Sequence, residues 1–293
     1  MGMPFGAYAL LQKHKLAIVA GLRADAEKRC LMFGRAKMTL SPEQRERALQ
    51  QDNTPPDLLI GWADSFLNSY GFDWVRSLDY SDFEGAGFTW NLNRPLVAPT
   101  EPIVDALSSI DLILDYGTSE HVFNPGMAYW NATALLKQGG YLNSILPVLG
   151  YCDHGMYQFS PSFFYAIERP QLKLEALYFF VRNWEDGPLM IWDGLSPEFR
   201  EHVHGAFDGS FAANCLQYLN EPILAWALFK KVQNISHDDF MHNTQQPIYK
   251  AQWDGSMSTD GANDGKLAMY GLSGEARKRK LVEYVKSIAL PGI

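Results

Sequence analysis

A glutamate and two histidines are the residues whose types most directly suggest chemistry in this chain. Glu120 and His121 are consecutive in a polar loop that follows the apolar run 112–114, and His154 lies in a second polar stretch after residues 141–146. Carboxylates and imidazoles exchange protons near neutral pH when their surroundings adjust the pKa, so all three are candidate general bases. The competing interpretation is structural: Glu120 orders the start of the next helix, and His154 is a packed residue.

Other residues of ligand-binding type also stand directly after apolar runs. Gly34, Asp79 and Asn91 each follow such a run, and Arg35 comes next to Gly34. An aspartate in this position can accept two hydrogen bonds from a ribose diol, and a guanidinium pairs well with a carboxylate. Asp79 as a turn residue and Arg35 as a surface residue remain open alternatives.

The elements that must position these residues alternate between strands and helices. The strands are predicted at residues 30–33, 72–78, 88–90, 112–114, 141–146 and 177–181. The helices are predicted at residues 5–24, from 42, at 58–70, at 125–137 before the Gly139-Gly140 pair, and from 161 to about 169. Such alternation predicts an α/β fold of the Rossmann-like class, a mostly parallel sheet with helices on both faces. Ligands of such sheets lie at the carboxyl ends of the strands.

Capping residues suggest where several of these elements begin and end. Ser41 and Thr54 are each followed by proline, which is typical of a helix start, and the second helix is expected to continue through Tyr70. Pro147 is expected to stop the strand that begins at Tyr141.

The pattern loosens beyond residue 182. Helices are expected around 211–231 and 274–289, among short aromatic-rich pieces. We therefore divide the chain into a Rossmann-like core, 1–182, and an accessory or substrate-cap region, 183–293, that completes the domain. The aromatic content of the second part suits an apolar lid over a substrate, or equally the interior of the accessory region itself.

Composition narrows the range of functions. The net charge is −8, with 25 basic and 33 acidic residues, which argues against a general nucleic-acid binder. The three cysteines predict no disulfide framework, which suits a cytoplasmic protein. The N-terminus is a poor signal peptide, and no run approaches the ~20 apolar residues of a membrane span. We expect neither nucleic acid nor membrane as a partner, and leave a homodimer open.

Several familiar motifs are missing from the sequence. The groups His202, His204 and Asp208, and His237 to His242, match no well-known ligand spacing, so no metal is predicted. There is no G-x-S-x-G elbow and no P-loop.

Several segments, taken in order, resemble a subgroup of the class I S-adenosylmethionine (SAM)-dependent methyltransferases. The matching segments are Met32–Arg35, Ser77–Ser81 with Glu84–Ala86, Asn91–Asn93, Asp111–Asn124, Leu136–Gly140 and His154–Phe164. The strings at 117–124 and 154–161 are the specific ones. In this subgroup the first motif resembles Leu-Gly-Arg rather than a G-x-G-x-G loop. The chain departs from the family at Phe33, where an aliphatic residue is usual, and at Asn91, where Asp is usual.

The resemblance implies that SAM is the cofactor and that a methyl group is transferred to a small molecule. It would place Gly34 and Arg35 by the methionine part, Asp79 at the ribose, Asn91 near the adenine, and Asp115, Gly117 and Glu120 around the methyl donor. Tyr80 is a further candidate for cofactor binding. His154, His121 and Glu120 are the candidate catalytic residues, and Tyr157 is a candidate substrate contact.

Two other interpretations belong to different functional classes. The first is a SAM-binding protein of this fold that transfers no methyl group or catalyses another reaction, since a fold does not determine function. The second is a nicotinamide-dependent oxidoreductase, which is disfavoured because the loop after the first strand lacks G-x-G-x-x-G.

Overall fold

The computed structural model describes residues 2–20, 22, 26–96, 103–168, 170–183, 191–193, 195 and 222–243. Its strands are β1 Gly2–Met3, β2 Arg29–Phe33, β3 Lys37–Met38, β4 Trp74–Asp79, β5 Phe88–Thr89, β6 Ile110–Tyr116, β7 Leu136–Leu149, β8 Leu174–Asn183, β9 Ile191–Asp193 and β10 Ile223–Lys231. Its helices are α1 Phe5–Ala20, α2 Pro42–Asp52, α3 Asp64–Tyr70, α4 Pro125–Leu135, α5 Pro161–Ile167 and α6 His237–Asn243. Short 3-10 helices lie at Pro56–Leu59, Val104–Ala106, Ser119–His121 and Pro170–Leu172.

Eight of the strands form one sheet in the order β5-β4-β2-β6-β7-β10-β8-β9. The pairs from β5 to β7 are parallel, whereas β10 is antiparallel to both β7 and β8, and β9 is antiparallel to β8. The remaining strands, β1 and β3, form a separate parallel pair. Strands β4 and β5 follow β2 on one side of it, and β6 then returns to its other side. The gap between β2 and β6 is therefore the switch point where ligands of such sheets bind.

Both faces of the sheet are covered. Helices α1, α2 and α3 pack on one face against residues that include Met32 and Leu112. Helices α4, α5 and α6 pack on the other face against residues that include Phe33 and Ile113. Successive strand residues point to opposite faces, so a strand covered on both sides is mostly apolar along its length. The predicted Rossmann-like fold, mostly parallel with helices on both faces, is confirmed.

Local signals placed many of the elements correctly. Ser41 forms the predicted capping box with Gln44: its side chain accepts from the Gln44 amide, and the Gln44 side chain accepts from the Ser41 amide. Ser160 likewise caps α5 by accepting from the Ser162 amide at 3.2 Å. The strands predicted at 30–33, 72–78, 88–90, 112–114 and 177–181 correspond to β2, β4, β5, β6 and β8.

The predicted helix from 58 to 70 is wrong in its first half. The structure has a 3-10 helix at Pro56–Leu59 and begins α3 only at Asp64. Gly61 has a positive φ of 75° between them, and its carbonyl accepts from the Met38 amide at 2.7 Å. A residue in that conformation cannot continue an α-helix, and its carbonyl is used by another segment.

Two predicted endings around α4 and β7 are also wrong. Helix α4 ends at Leu135 and β7 begins at the next residue, so the Gly139-Gly140 pair lies in the strand. Lys137, expected near the helix C-terminus, instead forms an ion pair with Asp111. Pro147 does not stop β7, because it pairs with Leu224 of β10 and the strand continues to Leu149, which pairs with Ile223. The Pro147 carbonyl also accepts a hydrogen bond from the Phe159 amide at 2.6 Å.

The largest correction concerns residues 223–231, which were expected to be helical. They form β10, which lies between β7 and β8, with its first seven residues all buried. A strand buried on both faces is a continuous apolar run, and such a run lacks the alternation that distinguishes a strand from a helix. The sheet therefore includes residues from beyond 182, while the division into core and accessory region stays a prediction.

Some expectations fall outside the part of the chain that the structure describes: the helix at 274–289, residues 211–221, and the group His202, His204 and Asp208. None of the helices in the described ranges has both the length and the apolar character that crossing a membrane requires.

Candidate functional site

The carboxyl ends of four neighbouring strands meet at one level. Phe33, the last residue of β2, pairs with Leu78 of β4 and with Asp115 of β6, and Asp79 pairs with Thr89 of β5. The predicted cofactor residues therefore lie at the ends of these strands or in the loops that follow them, along one edge of the sheet.

Backbone contacts connect these strand ends to one another. The Gly34 amide donates to the Leu78 carbonyl at 2.7 Å, and the Trp90 amide donates to the Asp79 carbonyl at 2.8 Å. The Thr118 hydroxyl donates to the Phe33 carbonyl. The loops after β2, β4, β5 and β6 are thus held together by hydrogen bonds rather than by side-chain packing alone.

Asp79 lies where a ligand could reach it. It is half-buried at the end of β4, its Oδ1 accepts from the Tyr80 amide at 2.6 Å, and its Oδ2 accepts no hydrogen bond from the described residues. Tyr80 is 77% exposed beside it. Asp79 therefore keeps one free acceptor at the strand ends.

Arg35 is engaged by the protein itself. Its Nε and Nη2 donate to Asp64 at 3.2 and 3.3 Å, and its Nη1 donates to the Glu84 carbonyl at 3.0 Å. The guanidinium carbon also lies 4.8 Å from the ring centroid of Trp62. The two hydrogen bonds between the Arg35 guanidinium and the Asp64 carboxylate fix the loop after β2. The sequence alone did not indicate Asp64 or Trp62 as partners of Arg35.

Asn91 closes a local turn after β5. Its Oδ1 accepts from the Asn93 amide at 3.0 Å and from the Asn93 side chain at 2.9 Å. The Asn93 Oδ1 in turn accepts from the Asn124 amide at 2.8 Å, which connects this turn to the start of α4. The place of Asn91 near the adenine stays a prediction.

Asp115 organises the loop that carries Glu120. It is 1% exposed, its Oδ1 accepts from the Thr118 and Ser119 amides at 3.2 Å each, and its Oδ2 accepts from the Ser119 hydroxyl at 2.6 Å. Gly117, with a φ of 90°, makes the turn between them. Burial raises the pKa of the Asp115 carboxyl, while the bonds from Ser119 oppose that rise. Asp115 acts on the site by positioning the 3-10 helix Ser119–His121.

Glu120 is the unusual residue of the site. It is 2% exposed, and its Oε2 has no hydrogen-bond partner. Burial, and then the nearby charge of Asp115, raise the pKa of Glu120 to about 8, so in the absence of a ligand the group is largely protonated at neutral pH. A buried carboxyl with a free oxygen is costly to maintain and is typical of functional positions.

The loop after β7 brings His154 to the same place. The rings of His121 and His154 lie with centroids 4.8 Å apart at an interplanar angle of 83°, and both residues are exposed. Partial desolvation of the ring, and then His154, lower the pKa of His121, which favours the neutral imidazole that can accept a proton. The donor atoms of Glu120, His121 and His154 all lie within 4.8 Å of one another.

Tyr157 supports this cluster from the same loop. Its hydroxyl donates to the Phe123 carbonyl at 2.7 Å, and its amide donates to the Glu120 carbonyl at 3.3 Å. The Met156 amide donates to that carbonyl at 2.7 Å. Phe123 and Met156 are 73% and 54% exposed, so apolar side chains flank the polar cluster.

Gly155 is a site residue that sequence reasoning missed. Its φ is 78°, and a Cβ there would lie 2.8 Å from Glu120 Cγ. The one available signal in the sequence was its position next to His154.

Comparisons with known proteins show only distant likeness. No protein-family model matches the chain, and no curated protein matches it either. Among solved structures, the [4+2]-cyclase SpnF is 12% identical with a TM-score of 0.38, over 76% of this chain and 81% of that one. A protein from Bacillus halodurans C-125 assigned as a methyltransferase is 10% identical with a TM-score of 0.39, over 75% of this chain and 99% of that one. With TM-scores this low, these likenesses add nothing to the fold that the strand order itself establishes.

Proposed function

We propose that the chain is a SAM-dependent methyltransferase that acts on a small molecule. The observation that carries the proposal is the free carboxylate oxygen of Asp79 at the end of β4, next to the loop after β2 and on the same sheet edge as Glu120. The motifs at 117–124 and 154–161, which resemble the methyltransferase family, both lie on that edge. The free oxygen of Asp79 and the two motifs thus both support a ligand site at the carboxyl ends of the strands.

The residues present fit a ligand rich in hydrogen-bond donors. Asp79 Oδ2 is a half-buried acceptor without a partner among the described residues, and Glu120 Oε2 is a fully buried oxygen without one, which accepts when a bound ligand keeps that carboxyl ionised. A ribose diol suits the first, because a carboxylate at a strand end accepts from both hydroxyls. Gly34, with a φ of 64°, lets the backbone turn beside that position.

SAM would supply an electrophilic methyl group on its sulfonium, so the protein's tasks are alignment, exclusion of water and removal of a proton. His121 and His154 are the exposed imidazoles beside the buried Glu120, and a neutral ring nitrogen of either can accept the proton of a substrate hydroxyl or amine. Phe123 and Met156 favour a substrate with an apolar body next to that nucleophile.

Calorimetric titration tests the cofactor assignment. We expect SAM and its demethylated product to bind the parent protein and NAD not to bind. Asp79→Asn should weaken SAM binding about tenfold or more, because one acceptor becomes a donor facing the ribose. Asp82→Asn is the matched control, since Asp82 lies in the exposed turn after β4 and should leave affinity unchanged.

Three outcomes would count against this proposal in different ways. If neither SAM nor its product binds, the proposed function is wrong. If Asp79→Asn binds SAM as tightly as the parent, the ribose assignment is wrong. If SAM binds but no demethylated product is released with a pool of small hydroxyl and amine acceptors, the chain is a SAM-binding protein without methyl transfer.

A further inference from the structure

The cluster formed by Glu120, His121 and His154 has a composition that acid–base chemistry alone does not require. A single imidazole is enough to accept a proton, yet two imidazoles and a carboxyl converge here. Two histidines and one carboxylate form a common ligand set for Zn²⁺ in catalytic sites and for Fe²⁺ in oxygenases. Among the described residues, these are the three histidine, cysteine or acidic side chains whose ligand atoms lie close enough together to hold a metal ion.

We propose that Glu120, His121 and His154 bind a divalent first-row transition-metal ion with open coordination positions. The buried Oε2 of Glu120 has no partner, although its residue is 2% exposed, and a cation is a chemically suited partner for it. The two histidines are exposed, so a cation can reach them from solvent.

The three ligand atoms are somewhat farther apart than they would be around a bound metal ion. The three donor atoms lie within 4.8 Å of one another. Around a tetrahedral Zn²⁺ with bonds of about 2.0–2.1 Å, they would be about 3.3 Å apart. Side-chain rotation of the two exposed histidines can supply that contraction, while Glu120 is held in place by its backbone contacts with the loop after β7.

The surroundings keep Glu120 in position as a ligand. Asp115 holds the 3-10 helix Ser119–His121 through Ser119 and Thr118, and Gly155 packs against the Glu120 side chain. Such outer contacts orient metal ligands in proteins. With three protein ligands, one or more coordination positions stay open, which would hold a substrate oxygen or nitrogen. The cation would then lower the pKa of that nucleophile, in place of proton transfer to a free histidine; this role, unlike metal binding itself, rests on the proposed function.

Titration of the chelator-treated full chain with Zn²⁺ alone tests the site. We expect one ion bound per chain at this site, with affinity lowered about tenfold or more in His121→Ala and in His154→Ala. Glu120→Gln should weaken binding as well, because it removes the carboxylate charge. The substitution keeps the shape of the side chain, so the packing should change little. The control is His237→Ala, which removes a histidine of α6 that packs on Trp130 and is not one of the three residues of the cluster.

A spectroscopic readout separates ligation from a general effect on folding. Co²⁺ in place of Zn²⁺ should give visible absorption bands of a four- or five-coordinate ion in the parent and in His237→Ala, and these bands should be lost in His154→Ala. Absence of metal binding, or equal binding in all the variants, would overturn the proposal. SAM titration in the presence of chelator remains an independent measurement, so failure of the metal site and failure of the proposed function can be distinguished.

Discussion

Gly155 lies directly against the side chain of Glu120. A Cβ atom at position 155 would be 2.8 Å from Glu120 Cγ and 3.2 Å from the Glu120 carbonyl oxygen, and the backbone at Gly155 has a φ of 78°. The glycine thus brings the loop after β7 against the loop after β6 and places His154 beside His121. The arrangement of Glu120, His121 and His154 therefore depends on position 155 having no side chain.

Gly155→Ala should lower the free energy of unfolding by more than backbone strain alone explains. The left-handed conformation costs a non-glycine residue roughly 1–2 kcal/mol, and overpacking against Glu120 should add about 1–3 kcal/mol. We expect the free energy of unfolding, measured with urea, to fall by the sum of both effects.

Gly61→Ala provides the matched control for Gly155→Ala. Gly61 has a φ of 75°, and a Cβ there meets nothing within 4 Å, so only the backbone cost should be observed. Equal losses in the two variants would show that contact with Glu120 does not restrict position 155.

Arg35 and Asp64 should be energetically coupled. Their side chains form two hydrogen bonds at 3.2 and 3.3 Å, and each is about a quarter to a third exposed. A double-mutant cycle with Arg35→Ala and Asp64→Ala should give a coupling of about 0.5–1 kcal/mol in unfolding free energy, since partial exposure screens the pair.

The same variants distinguish two roles of Arg35 in binding SAM. If the guanidinium acts by holding the loop after β2 through Asp64, both single variants should weaken SAM binding to a similar extent. Loss of affinity in Arg35→Ala with none in Asp64→Ala would contradict that expectation and indicate direct contact between Arg35 and the cofactor.

The metal-free protein should lose stability as pH rises because of Glu120. The folded-state pKa of this carboxyl is about 8, against an ordinary value of 4.5, mainly because of burial. A raised pKa means that the folded state retains the proton longer than the unfolded state does. Stability is therefore fully present below pH 4.5 and is lost as pH rises through 8.

Urea unfolding at a series of pH values in chelator measures this effect. Between pH 5 and 9, the parent should lose about 2–4 kcal/mol relative to Glu120→Gln, a discounted conversion of the pKa shift. Glu175→Gln, which alters an exposed carboxyl on β8, should follow the parent. A Glu120→Gln curve parallel to that of the parent would contradict the assigned pKa.

Local sequence signals were sufficient for the elements whose determinants are themselves local. The capping box of α2 depends on Ser41 and Gln44, which are three residues apart, and the strand β6 is a run of buried residues ended by Gly117. The helix predicted around 211–231 is wrong at residues 223–231, because a run of apolar residues does not encode its pairing partners. Only contact with β7 and β8 makes that segment a strand.

The candidate site divides in the same way. The sequence by itself determined the α/β class and the residue types at the strand ends, because turns, caps and strand periodicity depend on near neighbours in the chain. Only the tertiary structure decided that Glu120 is buried without a partner, that His154 meets His121, and that Arg35 is engaged by Asp64. These properties depend on burial and on contacts between distant segments, which form when the chain packs and not before.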